Sequence, residues 1–150
     1  MGNYSHFFQR DAVRMLAKQP RANINAADSE GRTALMYAAE YGHYDCVEAL
    51  LEKQPDLSLC DNFGCNALHY ALWTEKPDPF IVRILCQSGV PIHKRNKEGQ
   101  TALHLAAKRN QHKLIPTLLG WDLRVCPLFK FPVFEFFSSL IFSIFSLKPV

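Results

Sequence analysis

Residues 96–107 read NKEGQTALHLAA, and the same grammar stands twice upstream, as DSEGRTALMYAA at 28–39 and DNFGCNALHYAL at 61–72. Each copy opens with Asp28, Asp61 or Asn96, passes two variable residues and reaches Gly31, Gly64 or Gly99, which suits a turn with positive φ. Thr33, Asn66 or Thr101 then stands where a helix N-cap belongs. Alanines recur four residues apart, Ala34 with Ala38, Ala67 with Ala71 and Ala102 with Ala106. That spacing predicts a short helix with a stripe of small residues, where a second helix can lie close. The turn glycines are 33 and then 35 residues apart.

A second apolar-periodic segment follows each copy: DCVEALL at 45–51, FIVRILC at 80–86 and KLIPTLL at 113–119. Two short helices and a turn cannot bury their apolar faces alone, so the units must stack. The expected core between them is Cys46, Val47, Leu50, Leu51, Val82, Leu85, Leu114 and Leu118. The pattern divides the chain into 1–27, a degenerate half repeat or N-terminal cap; 28–60, complete; 61–95, complete; 96–119, incomplete; and 120–150, a Phe-rich tail. DAVRMLAKQP at 11–20 matches DCVEALLEKQP at 45–55, so the chain begins with the second helix of a unit whose first is absent or degenerate. In the second unit TEKPDPF lengthens the inter-helix loop by two residues, with Pro79 placed for a first helical turn. Asn110 stands where the first unit has Gly42, and tolerates a left-handed backbone. Pro116 falls close to the start of its helix, where a missing N–H costs least.

Period, turn glycine, cap, Leu, Ala and second helix recur together, and in this the chain resembles the ankyrin-repeat family. The family's T-P-L-H-x-A signature stands here as T-A-L-M-Y-A, N-A-L-H-Y-A and T-A-L-H-L-A over about residues 11–119. Ala replaces the signature's Pro each time, which loses a preset φ but keeps helix propensity. The resemblance implies an all-α solenoid of stacked helix-turn-helix units joined by short β-turn or hairpin loops. It also implies that His69 and His104 hydrogen-bond the turn and stabilise the stack, a bond that Met36 gives up.

The resemblance further implies a non-enzymatic module that binds another protein on a concave surface of turn tips and inner helices. The positions that the family leaves variable are Ser29, Glu30, Arg32, Glu40 and Tyr41; Asn62, Phe63, Cys65, Trp73 and Thr74; Lys97, Glu98, Gln100, Lys108 and Arg109. The expected partner-binding residues among them are Glu30, Arg32, Glu40, Tyr41, Phe63, Trp73, Lys97, Gln100, Lys108 and Arg109. Aromatic and Arg side chains inside a polar rim are what interaction hot spots use.

Charge is polarised along the chain. Residues 28–61 hold eight acidic groups against Arg32 and Lys53, net −6, and residues 93–113 hold six basic groups against Glu98, net +5. A continuous basic stripe with interleaved aromatics, which nucleic acid would need, is interrupted by the acidic first unit. No nucleophile elbow, metalloprotease helix, phosphate loop or dinucleotide fingerprint occurs in the chain. The sequence thus points to no catalytic residue, cofactor or metal. Cys60 and Cys65 with His69 lack the paired spacing of a structural zinc site and read as small residues of a turn. Five cysteines, an odd number without C-x-x-C, fit a reducing compartment, cytoplasmic or nuclear. Gly2 meets only part of the myristoylation pattern, because His6 stands where Ser or Thr is wanted.

After Leu119 the pattern gives way, and seven of the eleven Phe residues lie beyond 128. Three readings stay open: a cap over the end of the stack, a membrane anchor through residues 128–150, or an ending foreign to the array. The uncharged run Phe136 to Leu147 has 12 residues, short of the roughly 20 that a spanning helix needs.

Overall fold

The computed structural model describes residues 23–125, together with Met15. The readings made on Gly2, on the N-terminal half repeat before residue 23 and on the Phe-rich tail beyond Val125 lie outside the described residues. Six helices follow one another: α1 Ala34–Glu40, α2 Tyr44–Leu51, α3 Ala67–Trp73, α4 Pro79–Ser88, α5 Ala102–Lys108 and α6 Ile115–Val125. Among the described residues no helix is long and apolar enough to cross a membrane.

Each unit is an antiparallel helix pair, α1 with α2, α3 with α4 and α5 with α6. Neighbouring units meet layer on layer: α1 packs on α3 and α3 on α5 in an inner layer, while α2 packs on α4 and α4 on α6 in an outer one. The alanine stripe explains the close inner layer, since Ala38, Ala71, Ala102 and Ala106 are all buried. Between the layers lies one continuous core, with Met36, Val47, Leu50, Leu68, Leu72, Ile81, Val82, Leu85 and Leu118 almost wholly enclosed. Of the expected core only Leu51 is left half-buried at the edge.

The turns repeat bond for bond. Asp28 Oδ1 accepts from the N–H groups of Glu30 and Arg32, each at 2.9 Å. Asp61 Oδ1 accepts from Phe63 and Cys65 at 2.9 and 2.7 Å, and Asn96 Oδ1 from Glu98 and Gln100 at 3.0 and 2.8 Å. Successive turns are sewn together: Asn62 N–H donates to the Glu30 carbonyl at 2.9 Å, and Lys97 N–H to the Phe63 carbonyl at 2.8 Å. The glycines have φ of 80°, 77° and 75° at Gly31, Gly64 and Gly99. At Gly31 and Gly64 the next turn also comes so close that an added Cβ would stand 3.1 Å from Asn62 N and 3.3 Å from the Asn96 Cα.

Two local expectations are corrected, and Pro116 stands close to the start of its helix as expected. Thr33 takes the N-cap position with extended backbone, but its side chain makes no cap hydrogen bond. Its N3 residue is Met36, which cannot return the bond, whereas Asn66 with His69 and Thr101 with His104 form reciprocal capping boxes. Cys65, grouped above with the variable surface positions, is buried at 3% exposure, because the second half of its turn tucks beneath the following one. In the third unit the outer helix begins at Ile115, although the equivalent of α2's first residue, Tyr44, is His112. Pro116 has no N–H to offer the His112 carbonyl, so the α-helical ladder starts late and α6 then runs on to Val125. Asn110 adopts φ 57°, as expected for a stand-in for Gly42.

Candidate functional site

The inner helices α1, α3 and α5 and the turn tips before them form one face, and most of the expected binding positions lie there. Their environments differ sharply from unit to unit. In the first, Arg32 is held fast: its guanidinium donates to Glu30 Oε2 at 2.5 and 2.8 Å and to Glu40 Oε2 at 3.2 Å. It also lies 4.8 Å from the Tyr37 ring centre and 5.6 Å from that of Tyr70, so one cation spans two units. Glu30's hydrogen bond raises the Arg32 pKa further, and Arg32 therefore serves the fold more than it offers a free charge.

Tyr37 and Tyr70 were not singled out by sequence, yet they anchor this face. Tyr37 donates to Asp28 Oδ2 at 2.7 Å and Tyr70 to Asp61 Oδ2 at 2.5 Å. Each aspartate thus organises its turn with one oxygen and fixes the inner helix with the other. The Tyr37 hydrogen bond holds the Asp28 carboxyl below its usual range, while burial and then Asp61 push the Tyr70 phenol up. The signal was present as a spacing of nine residues, Asp28 to Tyr37 and Asp61 to Tyr70, lost in the third unit at Asn96 and Leu105.

The expected aromatic trio is not a single cluster. Tyr41, 43% exposed, stacks on Tyr37 with ring centres 6.4 Å apart. Phe63, 61% exposed, sits on the turn tip before α3, and Trp73, 41% exposed, at the far end of that helix. The seven residues of α3 alone put about 10 Å between them along the axis. Across the next unit boundary the Arg109 guanidinium lies 5.3 Å from the Trp73 ring centre. Lys97, Lys108 and Arg109 are exposed, and Gln100 is half-buried with its carbonyl facing the His69 ring. A groove of about 330 Å³ opens between the end of α1 and the lengthened loop, lined by Glu40, Tyr41, Thr74, Glu75, Lys76 and Asp78. Trp73 therefore caps the end of its helix beside that loop without being buried by it.

His69 is fully enclosed and does what its position implies. Nδ1 lies 2.6 Å from Asn66 Oδ1 and 3.3 Å from the Asn66 N–H, and Nε2 faces the Gln100 carbonyl of the following unit at 3.1 Å. Burial lowers its pKa. His104 keeps only the inner half of that arrangement, its Nδ1 2.7 Å from the Thr101 hydroxyl; it is exposed, and among the described residues Nε2 meets no following turn. Among the described residues no group of three or more His, Cys, Asp or Glu is placed to hold a metal ion. Cys65 and Cys86 are free thiols that burial pushes up to about 11. A thiol so little ionised is a packing residue, not a nucleophile.

A model of ankyrin repeats matches the chain at residues 5–96 and 55–126. Human ankyrin repeat domain-containing protein 63 is 34% identical over 110 residues, which is 72% of this chain and 29% of that protein. The Drosophila melanogaster tyrosine-protein kinase Shark is 36% identical over 98 residues, 65% of this chain and 10% of the kinase. Human transient receptor potential cation channel subfamily A member 1 is 29% identical over 110 residues, 69% of this chain and 10% of the channel. The chain spans less than a third of the length of each of these relatives. The similarity resides in the repeat array, which proteins of unlike activity carry.

Proposed function

This chain belongs to the ankyrin-repeat family, whose arrays are in general protein–protein interaction modules, and from that premise we propose that it is a non-enzymatic adaptor binding a partner protein on its inner face. The observation that carries the reading is the exposed Trp73 with Arg109 laid against its ring from the neighbouring unit. An aromatic left two-fifths open, at the junction of two rigid units, offers a large contact area with little ordering cost. Tyr41 flanks it across the groove on the acidic side, and Lys108 with Arg109 on the basic side. The rest of the site is pre-formed, since Arg32, Tyr37 and Tyr70 are already bonded within the stack. The buried cysteines Cys46, Cys65 and Cys86, with no disulfide among them, suit a reducing compartment, cytoplasmic or nuclear.

The test is a selection of binders from a displayed peptide library against the full chain, followed by mapping on single variants. Trp73→Ala should weaken selected binders by more than about 1 kcal/mol with an unchanged circular-dichroism spectrum. Binders that ignore Trp73 and Tyr41 but are lost on changing the outer-layer residues Glu48 or Arg83 would place the partner on the opposite face and end this reading.

A further inference from the structure

The six cations between residues 93 and 113 are all on the surface, and among the described residues none is in an ion pair. This is the reverse of the first unit, where Arg32 is shared between two carboxylates. Their placement against the exposed aromatics is regular. Lys97 is tied to Phe63 by the backbone bond between their turns, and Arg109 lies over Trp73, with Lys108 beside it. Each couple takes its aromatic from the second unit and its cation from the third, and the two couples stand at opposite ends of α3 and α5.

We propose that this half of the inner face binds an extended acidic segment of the partner protein, with carboxylates received at the two couples and an apolar residue between them. The proposal rests on the protein-binding reading above and adds the partner's chemistry. The seven residues of α5 alone put about 10 Å between the couples, which an extended peptide covers in about three residues, and the turn before the helix adds to that. The motif is therefore two acidic residues three or more apart, a spacing that the charge pattern alone would not give. Unpaired cations beside aromatic surface favour such a ligand twice, because a carboxylate gains attraction and its neighbouring apolar group gains contact. A polyphosphate is the poorer fit: the basic surface ends at Trp73, where Glu40, Glu75 and Asp78 line the adjoining groove.

The experiment is fluorescence anisotropy of the full chain with a labelled Gly/Ser peptide of about twelve residues carrying Glu at every third position and one central Leu. Its Lys-for-Glu counterpart and an oligothymidylate of similar length are the comparison probes. The Glu peptide should bind at least about tenfold more tightly than the Lys peptide and weaken as salt is raised. Lys97→Glu combined with Arg109→Glu should lower its affinity about tenfold or more, while Lys113→Glu, exposed but next to neither aromatic, should leave it nearly unchanged. Equal binding of the Glu and Lys peptides, an equal loss in Lys113→Glu, or equal binding of oligothymidylate would each overturn the proposal. If library binders still map to Trp73 while the Glu peptide fails, the acidic-ligand inference alone falls and the inner-face reading stands.

Discussion

The His69 imidazole joins two units of the stack: its Nε2 lies 3.1 Å from the Gln100 carbonyl while its Nδ1 receives the Asn66 N–H of its own cap. His104, at the same place one unit later, has the cap contact without the bridge. Removing the two side chains should therefore have unequal costs. His69→Gln, which leaves buried partners unsatisfied, is expected to cost about 1–3 kcal/mol, and His104→Gln a few tenths. Paired urea unfolding curves at neutral pH measure the difference, and equal costs would contradict the bridging role.

The same histidine sets an acid limit on stability. Burial lowers its folded pKa below the ordinary 6.5, so the unfolded chain takes up a proton more readily than the folded one. The contribution is complete above about pH 6.5 and is lost as pH falls through the folded pKa. The urea midpoint should thus decline between about pH 7 and pH 5, well before carboxylates such as Asp28, whose folded pKa lies below 3.8, begin to protonate. In the His69→Gln chain that part of the decline should vanish.

The three turn glycines separate backbone strain from packing. Their φ angles agree within 5°, so a Cβ costs each about the same conformational penalty, roughly 1 kcal/mol. Gly31 and Gly64, however, have a neighbouring turn 3.1 and 3.3 Å from that Cβ, and Gly99 has nothing within 4 Å. Gly31→Ala and Gly64→Ala should cost about 1–2 kcal/mol more than Gly99→Ala, because rigid backbone has to move. Thermal unfolding of the three variants checks the order.

The fold was readable in the sequence because its turn chemistry is local. Asp or Asn, a glycine three residues on and a cap two residues later specify one turn wherever they occur, and the period then requires stacking. What escaped depends on how one unit lies on the next. Cys65 shares its place in the turn with the half-buried Arg32, and the overlap of the following turn covers the short thiol where the arginine reaches out to Glu30 and Glu40. Arg109 meets Trp73, and Arg32 meets Tyr70, through the offset between units, which no single repeat encodes. The Asp28–Tyr37 and Asp61–Tyr70 ties were visible as a spacing, but meaningful only once the turn folds back on its helix.

Tyr70 should set an alkaline limit as His69 sets the acid one. Burial and Asp61 raise its pKa above the ordinary 10, so stability is complete below that value and is lost as pH rises through the folded pKa. Tyr37 is raised in the same direction by its bond to Asp28. Tyr70→Phe should cost about 1–3 kcal/mol at pH 7 by leaving the enclosed Asp61 carboxylate one partner short. The fall in Tm between about pH 9 and pH 11 should then be shallower than in the parent chain. An unchanged slope would mean that the Tyr70–Asp61 bond contributes nothing to it.

The exit from α2 holds the one stabilising change that the structure points to directly. Gln54 has φ 53°, in the left-handed region, and precedes Pro55, which further narrows its allowed backbone. At the corresponding exit from α4 the chain has Gly89, with φ 93° and its N–H bonded to the Cys86 carbonyl. Gln54 is exposed, and its N–H already donates to the Leu51 carbonyl at 3.0 Å, so the turn survives without the side chain. Gln54→Gly removes the Cβ strain but frees the unfolded chain, and the first effect outweighs the second where φ is positive. The expected gain is about 0.5–1 kcal/mol, read as a higher urea midpoint with an unchanged slope. Gly89→Gln, the reverse change at the equivalent exit, should lose about as much; a loss in both variants would refute strain as the reason.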